Sequence, residues 1–189
     1  MSGHGFHVHG PHDHEVEHAA HGSDGFSNKI AVTTAILATI GAIFGYQAGA
    51  TQNNAALYKN NAAIKKTEAS NQWNYYQAKS NKQNLAELAM SLPGVDIEKY
   101  KAEVERYKSE KAEIKANAEK LEAVSHDWDK QSDEQMHQHH RWAQAMTSVQ
   151  IAISLAAITL LTRRKWLEYA SYGVAAAGLG LGVLAWMHL

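Results

Sequence analysis

The sequence contains no cysteine and only two prolines. Without cysteine there are no disulfides, no thiol catalysis and no thiolate metal site, and the redox compartment cannot be inferred. Charged side chains are also missing from three long stretches, residues 30–58, 142–162 and 169–189. Residues 52–141, in contrast, hold 14 of the 18 Lys and Arg and 14 of the 19 Asp and Glu. Because a soluble domain would spread its charges along the chain, we expect a membrane protein with a water-exposed lobe.

The lobe lacks an excess of either sign, since its basic and acidic residues are equal in number. A protein that binds nucleic acid through its phosphates would present a basic surface, so we expect no nucleic-acid partner. No strand pattern is present, no Gly-rich loop follows a strand, and no spacing orders a nucleophile with a base. The sequence therefore predicts a protein that is not an enzyme and that needs no cofactor.

Three apolar windows are long enough to cross about 30 Å of hydrocarbon as α-helices. We predict an all-α fold in which three transmembrane helices are combined with a long extramembrane antiparallel hairpin, coiled-coil-like in its packing, between the first and second. The predicted segments are a His-rich polar tail (1–28), a first span (29–51), the hairpin (52–141), a second span (142–162), a basic turn (163–166) and a third span (167–188).

The basic turn predicts the orientation of the chain. Arg163, Arg164 and Lys165 lie in a short loop, where the preference for cations on the cytoplasmic side is strongest. With three spans, the N-terminus and the 163–166 turn then lie in the cytoplasm and the hairpin lies on the opposite face. The first span also carries Gly41, Gly45 and Gly49 at four-residue spacing, which favours close helix packing and self-association.

The lobe has a single strong breaker, Pro93-Gly94, followed by Asp96 as a helix N-cap. We therefore predict two long helices joined by a turn at 92–96. The second has a 3.5-residue stripe typical of a coiled-coil seam, at Ile97, Tyr100, Val104, Tyr107, Lys111, Ile114, Ala118, Leu121, Ser125 and Trp128. Its residues Ile97, Val104, Ile114 and Leu121 are predicted to take part in self-association.

The first helix of the lobe has two apolar faces. The main stripe comprises Leu57, Ile64, Tyr75, Ala78, Leu85 and Leu92, and a second set comprises Ala62, Ala69, Trp73, Tyr76 and Met90. Two faces indicate two neighbours, the hairpin mate and a helix from another subunit.

The segment 68–83, with the sequence EASNQWNYYQAKSNKQ, resembles the signature of a bacterial membrane-protein family, domain of unknown function 4337. The order of a polar His-containing N-terminus, one span, a charged helical segment and two C-terminal spans is also similar. The resemblance implies a multi-pass protein of the bacterial inner membrane, and it implies no particular chemistry.

Seven of the twelve histidines lie in the first 21 residues. His7, His9, His12 and His14 form two His-x-His pairs that suit Zn, Cu or Ni. The alternatives are a polar tail without metal and a pH-responsive tail, because imidazole titrates near pH 6.5. A second cluster, His137, His139 and His140, precedes the second span, where it either chelates with an outside ligand or lies at the headgroups.

Three functions remain open from the sequence. The first is a structural or assembly protein, a homo-oligomer built through transmembrane and coiled-coil packing. The second is a metal-handling or metal-sensing membrane protein that uses the His-rich tail. The third is an accessory subunit of a larger membrane complex, with Trp73, Tyr75 and Tyr76 as contacts.

Overall fold

The computed structural model describes residues 25–188. They form three α-helices, α1 at Gly25–Ala89, α2 at Ile97–Thr162 and α3 at Lys165–Trp186. No strand occurs among them. The prediction of an all-α fold is therefore confirmed for this part of the chain.

The chain divides into two compact units. The hairpin unit is Ala50–His137, and the bundle unit is formed by the described parts of Met1–Gly49 and Gln138–Leu189. Helices α1 and α2 each contribute residues to both units, whereas α3 belongs to the bundle unit alone.

The connection between α1 and α2 follows the expected turn chemistry. The Asp96 carboxylate accepts a hydrogen bond of 3.1 Å from the backbone N–H of Lys99, which caps the start of α2. Gly94 has a φ of 81°, in the left-handed region that glycine adopts without a steric penalty. At the end of α1, the backbone N–H groups of Ser91 and Leu92 bond to the carbonyls of Leu88 and Ala89. The breaker and cap identified in the sequence therefore both act in this turn.

The stripe predicted on α2 faces α1 within the hairpin unit. Val104, Ile114, Ala118 and Ser125 are buried, and Tyr100, Tyr107, Leu121 and Trp128 are partly buried. Ile97 at the start of the stripe is exposed. Val104 and Ile114 are thus buried within their own chain, and self-association through this stripe stays a prediction.

The structure shows which of the two apolar faces predicted on α1 meets α2. Leu57, Ile64 and Leu85 of the predicted main stripe are 52%, 47% and 65% exposed. Ala62 and Ala69 of the second set are buried against α2 instead. The physical reason is packing, because a row of small side chains lets the backbones of α1 and α2 approach closely.

In the bundle unit the core is small and tightly packed. Leu37, Val149, Ala152 and Ala175 form one buried cluster, and Ala48, Trp142 and Ala185 form another. The Phe44 ring packs against both clusters and lies 5.5 Å from the Trp142 ring, centroid to centroid.

Several glycines permit this packing within one chain. A Cβ added at Gly41 would lie 3.4 Å from Val149, and one at Gly45 would lie 3.0 Å from Met146. A Cβ at Gly182 would collide with the Phe44 ring, whereas Gly49 faces open space. Gly41 and Gly45 therefore serve contacts between α1 and α2 of one protomer.

Each of the three helices contains a window long and apolar enough to cross a membrane. Within the fold only 22–28% of the residues in these windows are buried. Most of the apolar surface of these segments therefore faces outward.

Candidate functional site

The hairpin unit is built on a row of small side chains that we name the alanine seam. Its members are heptad-spaced and buried between α1 and α2, and they are Ala55, Ala62, Ala69, Ala118, Ser125 and Ser132. Small residues at this spacing let two antiparallel helices approach at short interaxial distance.

Two serines of the alanine seam bond directly to the opposite backbone. Ser125 Oγ donates a 2.9 Å hydrogen bond to the carbonyl oxygen of Ala62, and Ser132 Oγ donates one of 2.8 Å to that of Ala55. Donor and acceptor each step by seven residues in opposite directions along the chain. The bonds thus define a single antiparallel register for the hairpin.

The same device occurs in the bundle unit. His139 Nδ1 lies 2.9 Å from the carbonyl oxygen of Ala48, so this nitrogen carries the proton and donates. Ser171 Oγ donates a 2.8 Å bond to the carbonyl oxygen of Ala152, which ties α3 to α2. These roles were not predicted from the sequence, although the seven-residue recurrence of Ala48, Ala55 and Ala62 was a visible signal.

The metal site predicted from the His-rich tail stays a prediction. His7, His9, His12 and His14 lie outside the described residues. In the second cluster, His139 is engaged with Ala48, and its ring lies 5.5 Å from that of His140. Within residues 25–188, no group of three or more His, Asp or Glu is placed to hold a metal ion. For this cluster the structure shows a packing role for His139.

On the opposite side of α1 from the alanine seam lies a second heptad row, which we name the outer seam. All its side chains are exposed, none is charged, and they are Leu57, Asn60, Ile64, Thr67, Asn71, Asn74, Ala78, Asn81, Leu85 and Leu88. Leu85 and Leu88 are 65% and 62% exposed. A charge-free heptad row on a helix surrounded by charged residues is typical of a face that meets another helix.

A cluster of one lysine, one glutamate and two tyrosines joins α1 to α2 in the middle of the hairpin unit. Lys79 Nζ lies 2.6 Å from a Glu110 carboxylate oxygen and within 5.7 Å of the ring centroids of Tyr75 and Tyr107. The hydrogen bond to Glu110 raises the pKa of Lys79, and the same bond lowers the pKa of Glu110. Nearby, the indole N–H of Trp73 donates to Glu122 at 3.1 Å. Trp73 is therefore engaged within the hairpin.

At the start of α3, the bundle unit holds a buried carboxylate. Glu168 is 8% exposed and accepts hydrogen bonds from Lys29 Nζ at 2.9 Å and from the Tyr172 hydroxyl at 3.1 Å. Elsewhere in the bundle unit, an apolar groove of about 400 Å³ is lined by residues that include Ile43, Phe44, Leu179 and Trp186. Its lining is mostly apolar.

No curated protein and no solved structure matches the chain. A family model described as a domain of unknown function (DUF4337) matches residues 26–188, which includes α2, α3 and all of α1 except Gly25. On that match, the chain belongs to the DUF4337 family.

Proposed function

We propose that this chain is an integral membrane protein with a structural role, and that its hairpin unit pairs with a second copy through the outer seam. The observation that carries the proposal is the outer seam itself, a charge-free heptad row exposed along α1. Its residues Leu57, Ile64, Leu85 and Leu88 are 47–65% exposed, although they are the largest apolar side chains of that row.

The apolar exterior of the bundle unit supports the membrane assignment. Val32, Ile36, Ile151, Val183 and Leu184 are all 45–59% exposed. A soluble protein seldom exposes so many large apolar side chains together, whereas a bilayer covers them at no cost.

Hydroxyl groups in the first and second apolar segments support the same assignment. Eight of them donate to the carbonyl four residues earlier in their own helix, with bonds of 2.7–3.1 Å, from Thr33, Thr34, Thr39, Thr147, Ser148, Ser154, Thr159 and Thr162. A hydroxyl that is satisfied within its helix can face hydrocarbon without losing a hydrogen bond.

The length of α3 suits a bilayer. Trp166 and Trp186 are 62% and 72% exposed near its two ends. At 1.5 Å per residue, their separation along the helix is about 30 Å. That distance equals the thickness of the hydrocarbon core, and tryptophan concentrates at the two headgroup layers.

The shared membrane orientation of two copies supports a parallel arrangement of their α1 helices. Two copies in one bilayer are related by an axis along its normal, so their equivalent helices run in the same direction. If Leu57 is heptad position a, then Ala63 and Gln77 are g positions, and Glu68 and Lys82 are e positions. In a parallel pair, Ala63 of one copy lies opposite Glu68 of the other, and Gln77 lies opposite Lys82. Each charge would meet a neutral side chain, so no like charges would be opposed. The one Asn in the a row, Asn71, would pair with itself, which favours a two-stranded register.

Cysteine cross-linking tests the pairing without background, because the chain has no native cysteine. Asn71→Cys would place two thiols face to face in the parallel pair, and mild oxidation should give a covalent dimer. Asn117→Cys is the matched control on α2, where the side chain is exposed and lies outside the outer seam. Equal cross-linking of the two variants, or none in either, would refute pairing through the outer seam.

The absence of native cysteine also allows a test of the membrane orientation. We propose that the 163–166 turn faces the cytoplasm and that the hairpin lies on the opposite side of the inner membrane. Arg164→Cys and Ser91→Cys occupy exposed positions in the turn and at the hairpin tip. In intact cells an impermeant thiol reagent should label Ser91→Cys alone, and in inverted vesicles Arg164→Cys alone. Labelling of both from one side contradicts the three-span arrangement.

A further inference from the structure

We propose that the outward face of α2 in the bundle unit binds the same face of a second copy inside the bilayer, through a row of side chains centred on Gln150. We name this face the polar row, and its members are Ala143, Thr147, Gln150, Ser154, Ala157 and Leu161. The inference rests on the membrane assignment made above. It adds a contact surface within the membrane that is separate from the outer seam of α1.

The polar row is a straight stripe along α2. Its members are spaced alternately by four and three residues, which is the period of helices that pack side by side. All of them are exposed except Ala143, which is partly exposed. The buried residues Ala145, Val149 and Ala152 of the same segment lie on the opposite side of the helix. The polar row is therefore the outermost face of α2 in the bundle unit.

Most side chains of the polar row are small. Four of the six are alanine, serine or threonine, whereas Ile151 and Ile158 beside the row are 50% and 45% exposed. Small residues let two helix backbones approach closely, and such contacts drive helix association in a membrane because lipid supplies no hydrophobic drive between helices. The polar row therefore suits another helix better than it suits lipid chains.

The two hydroxyl groups of the polar row are satisfied within α2. Thr147 Oγ1 donates a 2.8 Å hydrogen bond to the carbonyl oxygen of Ala143, and Ser154 Oγ donates one of 3.0 Å to the backbone carbonyl of Gln150. These two groups can face hydrocarbon without a further partner. The side-chain amide of Gln150 is thus the group in the row that has most to gain from a second helix.

Gln150 lies deep in its apolar segment. At 1.5 Å per residue, it is about 12 Å along the helix from Trp142 and about 18 Å from Thr162. Its side chain is exposed and carries two N–H donors and an acceptor oxygen. No water is present at that depth of a bilayer, and an amide that faces hydrocarbon without a partner is costly. The position therefore favours contact with another polar side chain.

A second copy of the chain supplies that side chain. Two copies in one bilayer are related by an axis along its normal, which places Gln150 opposite Gln150 when the two polar rows meet. Each amide can donate through its N–H group and accept through its oxygen, so two identical amides satisfy each other. The polar row carries no charge, and the pairing therefore opposes no like charges.

Cysteine cross-linking of the full chain in phosphatidylcholine vesicles tests the contact. Ser154→Cys keeps Gln150 in place and puts two thiols opposite each other, so oxidation by copper phenanthroline should give a covalent dimer. Gly173→Cys is the matched control, because Ser154 and Gly173 lie equally far from the turn that joins α2 to α3. A Cβ added at Gly173 meets nothing within 4 Å. Equal cross-linking of the two variants, or none in either, overturns the proposal.

Substitution of Gln150 in the Ser154→Cys chain tests the amide itself. Gln150→Leu removes the hydrogen-bonding groups, and it should lower the dimerisation constant about fivefold, the loss expected for one interhelical hydrogen bond. Gln150→Asn keeps an amide and should retain most of the dimer. The constant is measured from the cross-linked fraction over a series of lipid-to-protein ratios. An unchanged constant in Gln150→Leu refutes pairing through this residue.

Failure of this inference is distinguishable from failure of the proposed function. Cross-linking of Asn71→Cys together with equal, weak cross-linking of Ser154→Cys and Gly173→Cys refutes the polar row and leaves the outer seam in place. Cross-linking of Ser154→Cys that persists beside Leu85→Lys, a charge in the outer seam, supports the polar row as an independent contact. A protein that alkaline carbonate extracts from the vesicles refutes the membrane assignment and the polar row with it.

Discussion

Ser132 Oγ lies 2.8 Å from the carbonyl oxygen of Ala55, and this hydrogen bond joins residues that are 77 positions apart in the chain. A serine hydroxyl is short, so the bond forms only where the two helix backbones approach closely. The small side chains of the alanine seam allow the two backbones to lie close together. The Ser132 hydroxyl can then donate its hydrogen bond to the opposite helix. Packing and hydrogen bonding therefore depend on the same residues.

Substitutions at Ser132 test this dependence. Ser132→Ala removes the hydrogen bond from the Ser132 hydroxyl to the Ala55 carbonyl, and Ala55 remains part of α1. The free energy of unfolding should fall by about 1 kcal/mol. Ser132→Leu also forces the helices apart, and it should cost about 1–3 kcal/mol through overpacking. Thermal or urea unfolding of the full chain, followed by circular dichroism, measures both. Ser109→Leu, at an exposed position of α2, should change stability little; an equal loss there would argue against the alanine seam.

A charge in the outer seam should separate the proposed pair while leaving each hairpin folded. Leu85→Lys places an ammonium group against its own copy in a parallel arrangement, which is repulsive. The particle mass in detergent should fall towards that of one chain, with helical content unchanged. Asn117→Lys, an exposed substitution on α2, serves as the control. If the mass of the Leu85→Lys particle equals that of the wild type, pairing does not use this face.

The Lys79–Glu110 pair predicts a pH dependence of stability. Since the hydrogen bond to Lys79 lowers the pKa of Glu110 in the folded state, the carboxylate stabilises the fold at neutral pH. That contribution is lost as the pH falls below 4.5, the ordinary pKa, and through the lowered folded value. Glu110→Gln should be less stable than the wild type at pH 7, and the gap should close in acid.

At alkaline pH, the Lys79 ammonium group gives stability a pH dependence of the opposite sign. The pKa of Lys79 is raised from 10.5 by the same bond, so its contribution persists below that value and is lost as the pH rises through the raised one. Thermal midpoints across pH 3–7 measure the acid effect. Glu113→Gln, at an exposed position nearby, provides the reference. A gap between Glu110→Gln and wild type that is independent of pH would contradict the assignment.

Glycine substitutions in α3 should have opposite effects at neighbouring positions. A Cβ at Gly182 meets the Phe44 ring, so Gly182→Ala should destabilise the bundle unit by about 1–3 kcal/mol. A Cβ at Gly180 meets nothing within 4 Å, and Gly180→Ala should be neutral or stabilising because alanine favours helix. Thermal unfolding in detergent compares the two. Equal midpoints would show that the Gly182 contact does not limit stability.

The candidate surfaces were only partly predictable. The seam on α2 was found because Val104, Ile114 and Leu121 are both apolar and periodic. Leu57 and Ile64 of the outer seam were recognised as part of one of two apolar faces, but the sequence did not decide which face meets α2, because Ala62 and Ala69 mark a second apolar face on the same helix. The metal hypothesis for His7, His9, His12 and His14 falls outside the described residues and stays a prediction.

The sequence by itself determined the helices, the turn after Ala89 and the three apolar segments, because length, breakers and charge distribution are local properties of the chain. Only the tertiary structure decided which face of α1 meets α2. Hydrophobicity measures how strongly a face avoids water, but it carries no information on how closely another helix can approach. Alanine and serine at seven-residue spacing permit the closer approach, and the larger side chains of Leu57 and Leu85 are left outside.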